Sequence, residues 1–206
     1  MNLEQHKNRD DMKVWLSTTG DPSEVGQLID VAKNSSQRIA FQLGAFCGLR
    51  SEEISQVAPE DVRETDKGWI VRVPSGKGGK YRETPIPRDL ATTIRTADEY
   101  RDEPSHHPIV TSTSSSAGVS TRSMRRWMQD AREQLVEDTG EQMWEHVTFH
   151  DLRRTWATSL RAADVDAMVV CDWGGWEDLQ TFLDHYRGTS TPEAQRRERQ
   201  KVDWLN

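Results

Sequence analysis

Cysteine is nearly missing: the 206 residues hold two, Cys47 and Cys171. A small disulfide-stapled fold is thereby excluded. Each thiol sits far from the other in an apolar context, so both read as buried and free, in a reducing cytoplasm. Long apolar runs are missing as well. No stretch approaches the ~20 residues of a membrane span, and Met1 to Lys13 lacks the apolar core of a secretory leader. Hydrophobic residues make up only 34% of the chain, so the core must be lean and the surface polar. No acidic cluster has the spacing of a magnesium site and no His/Cys set that of a zinc site, so neither metal nor cofactor is expected. There is no internal repeat. The length suits one domain, or one domain with a small appendage.

Net positive charge is also lacking. The formal charge is −7, which taken alone argues against a polyphosphate partner. Its distribution reverses that reading. Residues 71–88 carry +4, residues 119–132 carry +3 and residues 150–161 carry +2, which leaves −16 on the remainder. Basic islands in an acidic body fit a polyanion-binding face with a solvating back. Lysine is scarce, 7 of 27 basic residues against 20 arginines. Few lysines and many carboxylates suit a halophilic acidic surface, one kept soluble at high salt.

What is present is mostly helical periodicity. Residues 1–20 read as a lead-in anchored by Trp15 and Leu16. Asp21-Pro22-Ser23-Glu24 opens a helix carrying Val25, Leu28, Ile29 and Ala32. Ser35 to Cys47 forms a second, ended by Gly48, and Ser51-Glu52-Glu53 starts a short third. The period then changes to two: Trp69, Val71 and Val73 alternate along a strand. Ser75-Gly76-Lys77-Gly78-Gly79 turns it back into Tyr81 to Ile86, and Asp61 to Arg63 offers a third short strand. Helices resume at Leu90 to Tyr100, Ser123 to Leu135, His150 to Leu160, Val165 to Trp173 and Glu177 to Tyr186. Residues 102–120 read as a loop, and Pro192 starts a charged last helix ending at Trp204 and Leu205. The class is α+β, mainly α-helical, with a small antiparallel three-stranded sheet.

Four clusters could carry chemistry: Gly48-Leu49-Arg50-Ser51-Glu52-Glu53 at a helix junction, Lys77 in the glycine-rich hairpin, His150-Asp151-Leu152-Arg153 at a helix start, and Gly174-Gly175-Trp176 followed by His185-Tyr186. Phosphoryl transfer needs parts of these types. Fixed guanidinium groups stabilise the charge that grows on non-bridging phosphate oxygens. A nucleophile must attack phosphorus, and an acid must protonate the leaving oxygen. Taken singly, each residue has a plainer reading. Tyr186 lies on the apolar stripe of its helix, Arg50 could pair with Glu53 one turn on, His150 could cap a helix, Lys77 or Lys80 could be surface lysines, and Trp176 could only pack.

In order and spacing the set resembles the tyrosine recombinase, or phage integrase, family over residues 12–190. The resemblance implies a DNA breaking-and-rejoining catalytic domain there, with 1–11 as lead-in and 191–206 as a charged tail. It implies Tyr186 as nucleophile forming a 3′-phosphotyrosine bond, Arg50 and Arg153 as phosphate clamps, Lys77 as general acid ahead of Lys80, and His150 as general base and phosphate ligand. Trp176 stands where many relatives have histidine, and Glu53 is the supporting acidic residue three after the first arginine. The reaction needs no metal and no ATP. The partner is double-stranded DNA, contacted by Lys80, Arg82, Arg122, Arg125, Arg126 and Arg154. Self-assembly on DNA as dimer or tetramer follows, with exchange of the C-terminal segment, and the setting is cytoplasmic with no membrane. Two rivals stay open: a DNA-binding regulator of the same fold, and a type IB topoisomerase-like relaxing enzyme.

Overall fold

The computed structural model describes residues 1–5, 12–74, 81–112, 115–186, 196 and 199–200. The segment read as a lead-in holds a two-stranded hairpin, β1 (Asn2–Gln5) with β2 (Met12–Trp15), in which Leu3 opposes Val14. Helix α1 (Glu24–Asp30) starts where Ser23 accepts the Gly26 N–H at 2.9 Å. Helix α2 (Ser35–Cys47) is capped by Asn34, whose side chain accepts the Gln37 N–H, and ends at Gly48 in the left-handed region. Short α3 (Ser51–Ile54) follows at once.

The sheet is β3 (Val62–Thr65), β4 (Gly68–Val73) and β5 (Arg82–Pro85), antiparallel in that order. Val71 opposes Val62 on one side and Thr84 on the other, so the buried face is continuous across the three strands. Lys77 and Lys80 lie outside the described residues. Helix α4 (Arg88–Glu99) follows, then a small hairpin of β6 (Thr111–Ser112) and β7 (Ser115–Gly118) inside the segment read as loop. Helix α5 (Thr121–Thr139) is longer at both ends than its apolar stripe, because its last turn is polar and closed by Gly140. After a 3-10 turn at Gln142–His146 come α6 (Phe149–Ala162), α7 (Ala167–Gly174) and α8 (Leu179–Tyr186). Pro192, Trp204 and Leu205, read as part of a last helix, lie outside the described residues. Among the described residues no helix is long and apolar enough to cross a membrane. Cys47 and Cys171 are free and buried, as their contexts suggest.

The core forms where α2 crosses α6. Phe41 and Phe149 meet with ring centroids 5.5 Å apart. A Cβ on Gly44 would stand 3.1 Å from the Leu152 side chain, so a larger residue there would press the two helices apart by a few tenths of an ångström or shift Leu152. Ile39, Phe41, Leu43 and Leu152 are fully enclosed or nearly so, each removing apolar area worth about 1.5–3 kcal/mol.

Helix α6 is pinned at its start. Thr148 and Asp151 close a capping box, with the Thr148 N–H donating to Asp151 Oδ2 at 3.0 Å. Strand β2 is laid on the same turns: the Val14 N–H donates to Asp151 Oδ1 at 3.2 Å and the Leu16 N–H to Thr155 Oγ1 at 2.9 Å. Burial raises the Asp151 carboxyl above its ordinary range despite the opposing charge of Arg154 and the Thr148 hydrogen bond. A second, smaller apolar cluster joins Trp156 and Ala157 of α6 to Val170, Cys171 and Phe182 of α7 and α8.

Candidate active site

The site lies where α2, α6, β5 and the end of α7 meet. Gly48 makes the junction possible. Its φ is +65°, and a Cβ there would stand 2.3 Å from the Trp156 ring. Leu49 then turns into the core with no exposure, and Arg50 emerges at the head of α3. Glu53 holds it in place, accepting the Arg50 backbone N–H at 2.8 Å and its Nη1 at 2.9 Å.

Arg153 reaches the same place from α6. It is 1% exposed. Its Nη1 donates to Gly48 O at 2.6 Å and its Nη2 to Gly174 O at 2.7 Å, and its guanidinium lies 3.9 Å from the centroid of the Trp176 ring. Trp176 itself stacks on Trp156 at 6.3 Å and meets Phe182 edge-on at 4.9 Å. A Cβ on Gly174 would stand 1.8 Å from the Trp176 ring, which explains the glycine before the tryptophan.

The end of α7 serves three arginines in succession. Trp173 O accepts from Arg82 Nε at 2.9 Å, Gly174 O from Arg153 at 2.7 Å and Gly175 O from Arg50 Nη2 at 3.5 Å. A helix C-terminus leaves such carbonyls unpaired and carries partial negative charge, so guanidinium groups suit it. Arg50 and Arg153, far apart in sequence, are thereby brought to neighbouring atoms.

His150 is exposed in the first turn of α6. Tyr186 is the last residue of α8, one turn beyond the buried Phe182; its side chain is outside those described. Arg122, Arg125 and Arg126 are exposed on the first turns of α5. With Arg132, Thr148 and Phe149 they line a groove of about 460 Å³ beside the start of α6. Arg132 is already engaged there, donating to Glu145 O at 2.7 Å and Val147 O at 3.2 Å.

Two arginines read as DNA contacts are turned inward in this structure. Arg82 is buried, with Nη1 and Nη2 donating to the two oxygens of Glu53 at 2.9 and 2.8 Å. Arg154 is buried too, engaged with Asp151 and, at 3.5 Å, with Val14 O. Basic character is visible in a sequence, but the carboxylate that draws each guanidinium inward is not. The role of Gly174 and Gly175 as acceptors for arginines was equally hidden; the doubled glycine was its one sequence signal. Burial pushes the Glu53 carboxyl up, but the hydrogen bonds and charges of Arg82 and then Arg50 outweigh it and hold the carboxyl below its ordinary range. Among the described residues no group of three or more His, Cys, Asp or Glu could hold a metal ion.

A helical domain with one three-stranded sheet and two arginines gathered at a helix end has the fold of tyrosine recombinase catalytic domains. The crystal structure of XerA recombinase matches with a TM-score of 0.70 at 22% identity, over 92% of this chain and 65% of that one. The Tn1549 transposon integrase in complex with a circular intermediate DNA matches with a TM-score of 0.67 at 15% identity, over 96% and 68%. The chain belongs to the phage integrase family, whose model matches residues 20–192. It is similar to the tyrosine recombinase XerA of Thermococcus kodakarensis, 32% identical over 163 residues, or 77% of this chain and 54% of the relative. XerA of Pyrococcus horikoshii is 30% identical over 159 residues, 77% and 52%. The chain thus spans about half the length of the curated relatives it matches.

Proposed function

We propose that this chain is the catalytic part of a site-specific DNA recombinase that cuts and rejoins strands through a tyrosyl–phosphate bond. The observation that carries the reading is the meeting of Arg50 and Arg153 at adjacent carbonyls beside Trp176. Two planar forks from different elements suit the non-bridging oxygens of one phosphodiester.

In this reading Tyr186 Oη bonds to phosphorus and the bond to the 5′ oxygen breaks. The electron pair goes to that oxygen, which takes a proton from Lys77, while His150 receives the tyrosine proton. Arg50 and Arg153 hold the charge on the phosphoryl oxygens, and Trp176 backs Arg153 and the tyrosine helix. The 3′-phosphotyrosine keeps the bond energy, so a 5′-hydroxyl from a second strand reverses the step without ATP or metal. Residues 12–190 form the catalytic unit and 191–206 a tail that copies exchange when they assemble as dimers or tetramers. Double-stranded DNA is the partner, met by Arg122, Arg125 and Arg126 along their groove and by Lys80 in the hairpin. The DNA in the Tn1549 integrase structure supports this choice of partner.

The test is covalent capture. A pool of nicked suicide duplexes from the host genome is incubated with the protein, with chelator and without nucleotide. Protein–DNA adducts form with the native chain and vanish in Tyr186→Phe. No adduct at any salt refutes the reading: binding alone then favours a regulator. Adducts with relaxation but no strand exchange favour a topoisomerase-like enzyme.

A further inference from the structure

We propose that Arg82 is a positioning residue that fixes Arg50 and the Gly174–Gly175 turn together, tying the hairpin strand to the arginine pair; this rests on the recombinase reading. A surface arginine on a DNA-facing hairpin would point to solvent. The Arg82 side chain is instead 6% exposed, and a guanidinium is withdrawn from water at little loss only where its N–H groups find partners. Here Nη1, Nη2 and Nε all do, on two different elements.

The first link runs through Glu53. Its Oε1 accepts from Arg50 Nη1 and Arg82 Nη1, both at 2.9 Å, and its Oε2 from the Arg50 backbone N–H and Arg82 Nη2, both at 2.8 Å. One carboxylate is therefore shared by two arginines, each touching both oxygens. The parallel pair from Arg82 fixes the plane of the carboxylate. That plane in turn aims Arg50, which is 26% exposed and is the open member of the three.

The second link runs to the turn before Trp176. Arg82 Nε holds Trp173 O, and Gly175 rests on the arginine stem: a Cβ there would lie 2.8 Å from Arg82 Cδ. The two carbonyls that follow receive Arg153 and Arg50. The third link is the backbone. Arg82 opens β5 and pairs with Val73, the last residue of β4, so the backbone of the sheet also holds it in place. A lysine cannot stand in, because one ammonium has no fork with which to set a carboxylate plane.

The experiment uses the duplex selected by covalent capture. Single-turnover adduct formation and duplex affinity are measured for the native chain, Arg82→Lys, Glu53→Gln and the double variant. Arg82→Lys should bind within about threefold, since the phosphate-contacting arginines remain. Its adduct should form about 10- to 100-fold more slowly, as a misplaced clamp does. Adding Glu53→Gln should change the rate little further, because the bridge is already broken. Leu135→Ala, a core truncation on α5, supplies a chain of lowered melting temperature that keeps its adduct rate below melting. A native rate in Arg82→Lys overturns the proposal. So does a rate loss matched by lost affinity, or by Leu135→Ala at equal melting temperature. Should Arg82→Lys fail to fold, Glu53→Gln alone is held to the same split between rate and affinity. Should the native chain form no adduct, the recombinase reading fails separately. Proton exchange at the Arg50 guanidinium, followed by ¹⁵N NMR, then decides: at least tenfold faster exchange in Arg82→Lys supports the bridge, and unchanged exchange overturns it.

Discussion

The two apolar clusters differ in scale and in what they hold. The larger runs from Val14 to Leu152 and unites β2, α1 to α6 and the sheet. The smaller rests on five buried residues, Trp156, Ala157, Val170, Cys171 and Phe182, and seats α7 and α8 on the far turns of α6. Arg50, His150 and Arg153 stand on elements of the first; Trp176 and Tyr186 stand on elements of the second. The candidate site is thus a seam between a well-buried body and a lightly buried helix pair. Besides that small cluster, three arginine-to-carbonyl hydrogen bonds and an arginine over an indole close the seam. Regions with few buried contacts open at lower free energy than the body they rest on. The helix pair is accordingly the part whose seating sets the geometry.

The comparison is broken most directly by truncating a ring on either side. Phe41→Ala, in the large cluster, should cost about 3–5 kcal/mol and lower the melting of the whole chain. Phe182→Ala should cost less globally. Its mark is local: amide exchange in α8 accelerates while α2 stays protected. Equal loss of protection in both helices would show one cooperative unit and dissolve the distinction.

A milder probe is pH. The Glu53 carboxyl is held below its ordinary range in the folded chain. Its stabilising contribution is therefore complete above the unfolded value of about 4.3 and fades as pH falls through the lower folded value. Glu53→Gln should be less stable than the native chain near neutrality, and the gap should close in acid. A gap that widens as pH falls would reverse the assignment. Smallest is the effect of salt. If the acidic body is a high-salt adaptation, the melting temperature rises by a few degrees in molar KCl. The seam, made of contact hydrogen bonds, should hold where the Debye length is only ~3 Å. A melting temperature that stays flat removes the halophilic reading.

Much of this was legible because the signals were local. Ser35 to Cys47 could be bounded at its end from the sequence, since Gly48 is a cap whose chemistry sits next to the helix it closes. The three-stranded sheet was visible in the alternation of Trp69, Val71 and Val73. The β6–β7 hairpin was not, because its strands are serine- and threonine-rich and carry no apolar alternation. Strand β2 was missed, and its docking on Asp151 and Thr155 of α6 joins residues at opposite ends of the chain. Arg50 and Arg153 were named through the family resemblance, and the structure brings them to neighbouring carbonyls. Arg82 was named as well, but only the fold reveals that it shares Glu53 with Arg50. Lys77 and the Tyr186 side chain lie outside what the structure describes.

The docking of β2 on α6 also has a consequence in time. The Val14 N–H meets a carboxylate 137 residues further along the chain. At ribosomal rates of about 5–20 residues per second, that strand waits roughly 7–30 s for its partner to be made. Helix α6 receives β2 on the very turns that present His150 and Arg153. The order of synthesis therefore leaves the candidate site among the last parts of the molecule to close, after the sheet, α2 and α5 have already emerged.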